Sequence, residues 1–208
     1  MTESLISTFV VLFIVIDPIG IAPLFWTLTK GGTPEYQRAM ALRGTAVAAG
    51  ILLLFFFSGD HLLRVLGISL PAFRIAGGTL LFLLALDMVV VRQSGLRSAT
   101  VREQEEAVQR HDVSVFPLAF PLIAGPGAIT TVLLMAGRPS DIVMTLGTLG
   151  VLLLVLSLAL ASLWFAPHLA RLLGETGTNV ISRLLGIVLC ALATQYVIDG
   201  IKASFFAG

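Results

Sequence analysis

The chain contains 208 residues, of which 57% are hydrophobic and 12% are charged. A soluble globular domain carries about twice that charged fraction, so the composition and the mean hydropathy of +0.98 exclude an ordinary water-soluble protein. The net charge of +1 gives no reason to expect nucleic-acid binding, and Cys190, the only cysteine, rules out an internal disulfide. These features indicate an integral membrane protein.

Six apolar stretches are long enough to cross a bilayer, whose hydrocarbon core of about 30 Å requires about 20 helical residues. Inside lipid every backbone N–H and C=O must be paired within the protein, so such stretches form helices or the strands of a closed barrel. Residues 51–57 are apolar on every side, which excludes the alternation of a barrel strand. We therefore predict an all-α membrane protein with six transmembrane helices, at approximately Leu5 to Leu28, Ala39 to Ser58, Leu70 to Val91, Val113 to Ala136, Asp141 to Ala166 and Val180 to Phe205.

The Lys and Arg residues predict the orientation in the bilayer, because cytoplasmic loops are enriched in both. The first stretch has no basic residue in Met1–Ser4 and no small-residue cleavage site, so we expect it to be retained as a helix. With the N-terminus outside, nine basic residues lie on the cytoplasmic side and four on the other, which predicts that both termini face outside. The cytoplasmic set is Lys30, Arg38, Arg43, Arg92, Arg97, Arg102, Arg110, Arg171 and Arg183, and the opposite set is Arg64, Arg74, Arg138 and Lys202.

The two halves of the chain contain similar sequence in the same order. Arg64–Gly67 and Arg74–Gly77 precede a long apolar run in the first half, and Arg171–Gly174 and Arg183–Gly186 precede another in the second. Arg-x-x-Gly is also common at the entrances of membrane helices, so this motif by itself is a weak sign. Because each half also opens with an interrupted helix, the shared order predicts an internal duplication.

A solvated segment, residues 92–112, separates the halves, and its mixed Arg and Glu content marks a cytoplasmic connector. We predict a single membrane domain over residues 1–208, with one three-helix repeat at 1–91 and another at 113–208. Because three is odd, the second repeat enters the membrane from the opposite side. The result is the inverted symmetry seen in many secondary transporters.

Both interruptions fall near the middle of their spans, at Asp17–Gly20 and at Gly125–Gly127. Proline removes a backbone donor and clashes with the preceding turn, and glycine offers little resistance to unusual dihedral angles. We therefore expect Pro18, Gly20 and Pro23 to break the first helix. Gly125, Pro126 and Gly127 should break the fourth, with added weakness at Pro117 and Pro121.

Broken helices at the bilayer midplane present the groups that a zwitterion needs. Each second half-helix starts there with unpaired N–H groups and a positive dipole end, which suits a carboxylate. Each first half-helix ends there with free carbonyl groups, which suit an ammonium group or a cation. Since freed backbone groups are tolerated only within protein or beside a wet cavity, the breaks indicate a solute site.

Asp17 is a carboxylate at mid-bilayer, which is by default a functional candidate. It could receive a substrate ammonium group or carry a coupling proton; alternatively it is the N-cap of a helix that continues with Pro18, and the two roles are compatible. Thr130 and Thr131 either offer hydroxyl groups to the solute or bond back to their own helix. The candidate solute-binding residues are Asp17, Pro18, Gly20, Pro23, Gly125, Pro126, Gly127, Thr130 and Thr131.

The segments Asp17–Phe25 and Pro117–Thr130 resemble the MarC family of bacterial inner-membrane proteins, and the resemblance extends over essentially the whole chain. That family is associated with transporters of small neutral amino acids, some described as moving glycine and alanine with proton coupling. The resemblance implies a solute carrier in the bacterial cytoplasmic (inner) membrane, with its site between the first and fourth helices. Within the matching motifs, the residues to which the resemblance assigns this site are Asp17, Pro18, Gly20, Pro23, Gly125, Pro126, Gly127 and Thr130.

These features favour one class of function over others. We expect secondary transport of a small neutral amino acid by alternating access; a channel, or an exporter of another small solute or a drug, is the alternative. An intramembrane enzyme is not expected, because only Asp17 and Asp87 could form a catalytic pair and Asp87 lies near a helix end. No cofactor or metal is expected, and the expected partners are a zwitterionic solute and membrane lipid, with a homo-oligomer left open.

Overall fold

The computed structural model describes residues 2–90, 112–136 and 142–205, and every secondary-structure element in these ranges is helical. The predicted all-α fold is confirmed for this part of the chain, while the predicted connector at 92–112 lies outside it except for Asp112. The elements are α1 (Thr2–Ile16), α2 (Pro18–Leu28), α3 (Pro34–Val65), α4 (Leu70–Val90), α5 (Ser114–Ile123), α6 (Pro126–Ala136), α7 (Ile142–Trp164) and α8 (Ala166–Phe205).

Five segments of the described chain are long and apolar enough to cross a membrane. The pair α5 and α6, bent by 58° at a short break, brings the number to six if it counts as one span. This agrees with the six apolar stretches of the sequence. The five segments are Glu3–Leu28, Pro34–Val65, Leu70–Val90, Ile142–Trp164 and Thr176–Phe205.

The interruption of the first span is confined to Asp17, which separates α1 from α2 with left-handed backbone angles (φ 51°, ψ 66°). The expectation that Gly20 and Pro23 also break this helix is wrong, because α2 runs through both to Leu28. Proline disrupts a helix through one missing donor and one crowded carbonyl, but at Pro23 this does not end α2. The Pro23 carbonyl accepts a hydrogen bond from the Thr27 hydroxyl at 3.0 Å.

The fourth span is less regular than the sequence suggested. Its upstream half, α5, is a wide-turn segment in which Phe116 and Phe120 have extended backbone angles. Each of these residues precedes a proline, and proline disfavours the helical conformation in the residue before it. The main break follows at Ala124 and Gly125, and Gly127 already lies inside α6. The predicted weakness at Pro117 and Pro121 is therefore a distortion of the whole upstream half.

The short helix α6 lies at the centre of the molecule, and eight of its eleven residues are buried. Three other helices approach it through close contacts. A Cβ built on Gly59 of α3 would lie 2.6 Å from Leu133, one on Gly77 of α4 would meet Thr130, and Gly127 itself lies between α4 and α1. Absent side chains thus allow close backbone approach, as is usual between membrane helices.

Helices α4 and α8 pack against each other in antiparallel directions. Gly78 near the start of α4 lies against Val197 near the end of α8, and Gly186 lies against Met88. Gly200 likewise meets Pro71 and the first turn of α4. The pair therefore forms one continuous contact through small residues.

Two further contacts fix the directions of the remaining helices. Gly44 of α3 lies against Leu118 of α5, and Gly59 lies against Leu133 of α6, so α3 runs parallel to the fourth span. Gly147 near the start of α7 lies against Leu5, and α7 goes on to contact α2, so α7 runs parallel to the first span. These relations agree with spans that alternate in direction along the chain.

The two Arg-x-x-Gly motifs that precede α4 and the last span share a backbone feature. Gly67 has φ 68° and Gly174 has φ 61°, which are left-handed angles that favour glycine. Both glycines close similar heptapeptides, His61–Gly67 and His168–Gly174, which are identical at five positions. In each half, a similar heptapeptide therefore ends at a glycine with a positive φ.

The outer surface is apolar, as expected of a protein whose solvent is lipid. Large hydrophobic side chains stand exposed along α3, α4, α7 and α8, including Leu54, Phe57, Leu86, Leu153 and Ile187. Burying the same residues in a soluble protein would drive its folding. Here the bilayer covers them, and the interior is organised around α6.

Candidate solute-binding site

At the first break, the Asp17 side chain caps the helix that follows it. Its Oδ1 accepts a hydrogen bond from the Gly20 N–H at 2.9 Å, and its backbone carbonyl accepts from Ile21 at 3.1 Å. Pro18 occupies the first helical position, where a missing N–H costs nothing. The residue is 1% exposed. The capping role considered from the sequence is therefore realised, and the ligand or proton role stays a prediction.

Gly20 gives the Asp17 carboxylate the space that it occupies. A Cβ on Gly20 would lie 2.1 Å from Asp17 Oδ2 and 2.8 Å from its carboxyl carbon. The carboxylate therefore lies over the first turn of α2, against the glycine. Any larger residue at position 20 would displace it.

At the second break, Gly125 takes the place that Asp17 has in the first. Its carbonyl accepts a hydrogen bond from the Ile129 N–H at 3.0 Å, as the Asp17 carbonyl does from Ile21, and Pro126 follows it as Pro18 follows Asp17. A Cβ on Gly125, however, would lie 2.4 Å from the backbone oxygen of Pro121. The fold thus leaves no room for a capping side chain at this position.

The N-terminus of α6 consequently opens onto a cavity. Among the described residues, no side-chain oxygen accepts a hydrogen bond from the N–H groups of Gly127 or Ala128, which lie in the first turn and have no partner within the helix. Apolar side chains and backbone form the wall. The lining residues are Val15, Leu80, Leu84, Pro121, Leu122, Ile123, Gly125, Pro126, Gly127 and Ala128.

The cavity is small in this conformation. Its volume is about 20 Å³, and a cavity of roughly 10–15 Å³ holds one water. The five heavy atoms of glycine need more space. A solute can therefore be accommodated only if the surrounding helices separate.

The two breaks lie close together. A Cβ on Gly127 would lie 3.5 Å from Val15 Cγ1, and Val15 is two residues before Asp17. The same position would be 2.9 Å from Leu81 and 3.2 Å from Leu84 of α4. The C-terminal end of α1 therefore adjoins the N-terminal end of α6, and opposite ends of two helix dipoles meet.

The two threonines after the second break have different surroundings. Thr130 is 3% exposed, and its methyl group points at Gly77, where an added Cβ would lie only 1.8 Å away. Thr131 is fully buried, and within the described ranges its hydroxyl has no hydrogen-bond partner. The hydroxyl of Thr45 in α3 likewise has no hydrogen-bond partner among the described residues. Thr130 thus packs through its methyl group against Gly77, and its predicted role in solute binding stays a prediction; Thr131 retains an unused polar group.

The structure adds residues that sequence reasoning did not assign to a site. Val15, Leu80 and Leu84 line the cavity, but aliphatic residues in an apolar helix carry no distinguishing signal. For Pro121 the sequence predicts only a weakening of the helix. Three of the predicted site residues line this cavity: Gly125, Pro126 and Gly127. The others do not, namely Asp17, Pro18, Gly20, Pro23, Thr130 and Thr131.

A charged residue, Asp112, lies just before the N-terminus of α5. Asp112 Oδ1 accepts hydrogen bonds from the hydroxyl and the backbone N–H of Ser114, and its Oδ2 lies 3.8 Å from the Arg43 guanidinium. The Ser114 hydrogen bonds, and then the Arg43 charge, hold the pKa of the Asp112 carboxyl below its usual value of 3.8. This group fixes α5 to α3 at the entrance of the second broken span.

Comparison with known proteins agrees with the sequence motifs. The sequence profile described as "MarC family integral membrane protein" matches residues 2–205. A "UPF0056 membrane protein" of Archaeoglobus fulgidus is 36% identical over 195 residues, which cover 94% of this chain and 91% of that protein. YhgN, a "UPF0056 inner membrane protein" of Escherichia coli, is 33% identical over 204 residues, covering 96% and 97%.

A third relative, YvbG of Bacillus subtilis, is 32% identical over 205 residues, which cover 99% of this chain and 97% of the relative. The names of these three relatives state a membrane location and no activity. No solved structure matches the chain.

Proposed function

This chain belongs to the MarC family of integral membrane proteins, and from that premise we propose that it is a secondary transporter of a small neutral amino acid such as glycine or alanine. The observation that carries the proposal is the uncapped N-terminus of α6, which opens onto a cavity beside the broken first span. Buried N–H groups without partners are costly. A carboxylate bound there would satisfy them and would also be stabilised by the dipole of α6.

The surroundings of this N-terminus favour a zwitterion with a small side chain. The end of α1, marked by Val15, presents carbonyl groups and a negative dipole end next to Gly127, and Asp17 follows two residues later. An ammonium group placed on that side would complement the carboxylate on α6. The walls formed by Leu80, Leu84 and Pro121 are apolar and offer no polar partner to a side chain, which favours a hydrogen atom or a methyl group there.

We propose that the two halves are inverted repeats that rock against each other around this site. Exchanging α1 to α4 with α5 to α8 maps the contacts onto one another: α3 with α5 and α6 becomes α7 with α1 and α2, and α4 with α6 becomes α8 with α2. The antiparallel pair of α4 and α8 maps onto itself. Gly67 and Gly174, which both have a positive φ and close similar heptapeptides, support the same duplication.

Alternating access follows from this symmetry together with the size of the cavity. In an inverted pair, a state open to one side converts into a state open to the other when the halves exchange conformations. The water-sized cavity corresponds to a conformation closed around the α6 terminus. Moving α4 away from α6, at the close contact between Gly77 and Thr130, would enlarge it.

Proton coupling is assigned to Asp17, the buried carboxylate at the first break. Asp17→Asn keeps a side-chain oxygen for the Gly20 N–H and tolerates left-handed backbone angles well, but it removes the charge. We expect the variant to fold and to lose the response of uptake to a pH gradient. Unchanged uptake and unchanged pH response in a folded sample would limit Asp17 to capping.

The test of transport is uptake of radiolabelled glycine and alanine into liposomes that contain the purified protein, with and without an imposed pH gradient. Protein-free liposomes and liposomes with the Asp17→Asn variant are the controls. Saturable uptake with exchange against internal unlabelled amino acid supports a carrier. Flux without saturation or exchange would indicate a channel, and absence of both binding and uptake would refute the amino-acid substrate.

We also propose that the protein resides in the cytoplasmic membrane with both termini outside. The excess of Lys and Arg on one side supports this orientation. Fusion of a fluorescent reporter that matures only in the cytoplasm, placed after Gly208, tests it. A dark fusion at normal expression agrees with the proposal, and a bright fusion contradicts it.

A further inference from the structure

The outward face of α8 is bracketed by two exposed cations, Arg183 and Lys202. They are separated by about 28 Å along the helix axis at a rise of about 1.5 Å per residue. This distance matches the hydrocarbon thickness of about 30 Å, and long basic side chains place their charges at the two membrane surfaces. The exposed face between them therefore lies at the depth of the acyl chains.

A polar patch occupies this face. Thr194 and Gln195 are exposed, and the Gln195 amide donates a hydrogen bond from Nε2 to Asp199 Oδ1 at 2.8 Å. Gln195 lies about 10 Å along the axis from Lys202, by the same helical rise. We call Ala191, Thr194, Gln195 and Asp199 the α8 patch.

Lipid does not satisfy such a patch. A glutamine amide has two N–H donors and an oxygen with two acceptor positions, and the bond to Asp199 uses one donor. Acyl chains offer no partner for the rest, and an unsatisfied polar group in hydrocarbon is costly. The exposed face of α4, the counterpart of α8 in the first half, shows the contrast. Since Gly78 lies against Val197, the large side chains that α4 exposes near this depth are Leu80 and Leu83, and the Thr79 hydroxyl donates to the carbonyl of Ile75 in its own helix.

We infer that the α8 patch is the contact surface for a second copy of this chain, related by a two-fold axis perpendicular to the membrane. Copies with the same orientation bring their α8 helices together in parallel, so residues near the crossing meet their own counterparts. An amide is both donor and acceptor, so Gln195 is complementary to itself. Asp199 and Lys202 lie about one turn apart and have opposite charges, so Asp199 of one copy can face Lys202 of the other across the axis.

The residue at position 191 allows the approach that this contact requires. Ala191 is exposed, lies one turn before Gln195 on the same face, and has only a methyl group. Small residues at this spacing are typical of interfaces between membrane helices. The inference does not depend on the transported solute, because the patch lies outside the cavity lining.

Disulfide cross-linking in liposomes tests the inference. In a Cys190→Ala background, Ala191→Cys should give a covalent dimer on mild oxidation at low protein-to-lipid ratio. The matched control is Leu86→Cys, on the exposed face of α4 in the same background, which should stay monomeric. Equal cross-linking at both positions would reflect random collision and would overturn the inference.

A second substitution separates the polar contact from simple proximity. Gln195→Leu, added to Ala191→Cys, should weaken self-association by about 3- to 30-fold, the range for hydrogen bonds between membrane helices, whereas Leu83→Val on the exposed face of α4 should have no effect. Unchanged cross-linking in Gln195→Leu would refute the role of the patch. Labelling of Gln195→Cys by a membrane-impermeant thiol reagent would instead show that water covers this face, which also contradicts the inference.

Discussion

At both breaks the second half-helix begins with the same backbone pattern, but the N–H groups at its N-terminus have different surroundings. At the first, the chain supplies its own anion, because Asp17 accepts the Gly20 N–H at 2.9 Å and lies buried over the turn. At the second, Gly125 supplies no side chain, and the N–H groups of α6 border a cavity. One half of the molecule thus carries a built-in carboxylate, and the other keeps the equivalent place open.

Local sterics explain this difference. The Pro121 carbonyl lies 2.4 Å from where a Cβ of Gly125 would be, so every residue with a side chain is excluded there. In the first half, Gly20 serves the opposite purpose, since its missing side chain makes room for a carboxylate. Glycine at one break admits an internal anion, and glycine at the other prevents one.

Gly125→Ala should have the largest effect. Its Cβ would press on the Pro121 backbone, which has no flexible side chain to move, and overpacking of this kind costs about 1–3 kcal/mol. We expect a lower unfolding temperature in detergent and loss of uptake in liposomes. Gly150→Ala is the control, because a Cβ there meets no atom within 4 Å. Wild-type stability in Gly125→Ala would show that the second break is more adaptable than the structure indicates.

Gly20→Ala tests the first break without changing Asp17. The new methyl group displaces the carboxylate from the Gly20 N–H, and loss of an N-cap costs about 0.5–2 kcal/mol. We expect reduced thermal stability and an altered response of uptake to the pH gradient. The control is the same substitution in an Asp17→Ala background, where it should cost little because the cap is already gone. Equal costs in both backgrounds would argue against displacement.

The sequence was sufficient to predict the spans and the positions of the breaks, because proline and glycine act through local backbone chemistry. It was not sufficient to predict that α2 would pass through Pro23, or that α5 would be distorted over its whole length. The asymmetry of the two caps also escaped it. That asymmetry depends on where the Pro121 oxygen lies relative to Gly125, and on Leu80 and Leu84 from a distant helix, which only the packed fold determines.

Thr131→Val should separate stability from function at the second break. The Thr131 hydroxyl is fully buried and has no hydrogen-bond partner in the described part of the chain, so replacing it with a methyl group should leave stability unchanged or raise it by up to about 1 kcal/mol. If a solute or water uses the hydroxyl during transport, uptake falls several-fold. Thr130→Val is the control, because it keeps the methyl group that faces Gly77. Unaltered uptake in Thr131→Val would remove this residue from the site.

The smallest effect is expected for Asp112→Asn, at the N-terminal end of the second broken span. The Ser114 hydrogen bonds and Arg43 lower the pKa of Asp112 in the fold, so the charged form contributes stability at neutral pH. That contribution is lost as the pH falls below 3.8 and through the lowered pKa, because protonation then becomes favourable in the folded protein as well. Asp112→Asn should therefore destabilise the protein by less than about 1 kcal/mol at neutral pH, since both charged groups are largely exposed and screened by solvent. Thermal unfolding in detergent across the acidic range would show the two proteins converging; a difference that stays constant down to the most acidic pH would mean that the charge of Asp112 contributes nothing and that only its shape matters.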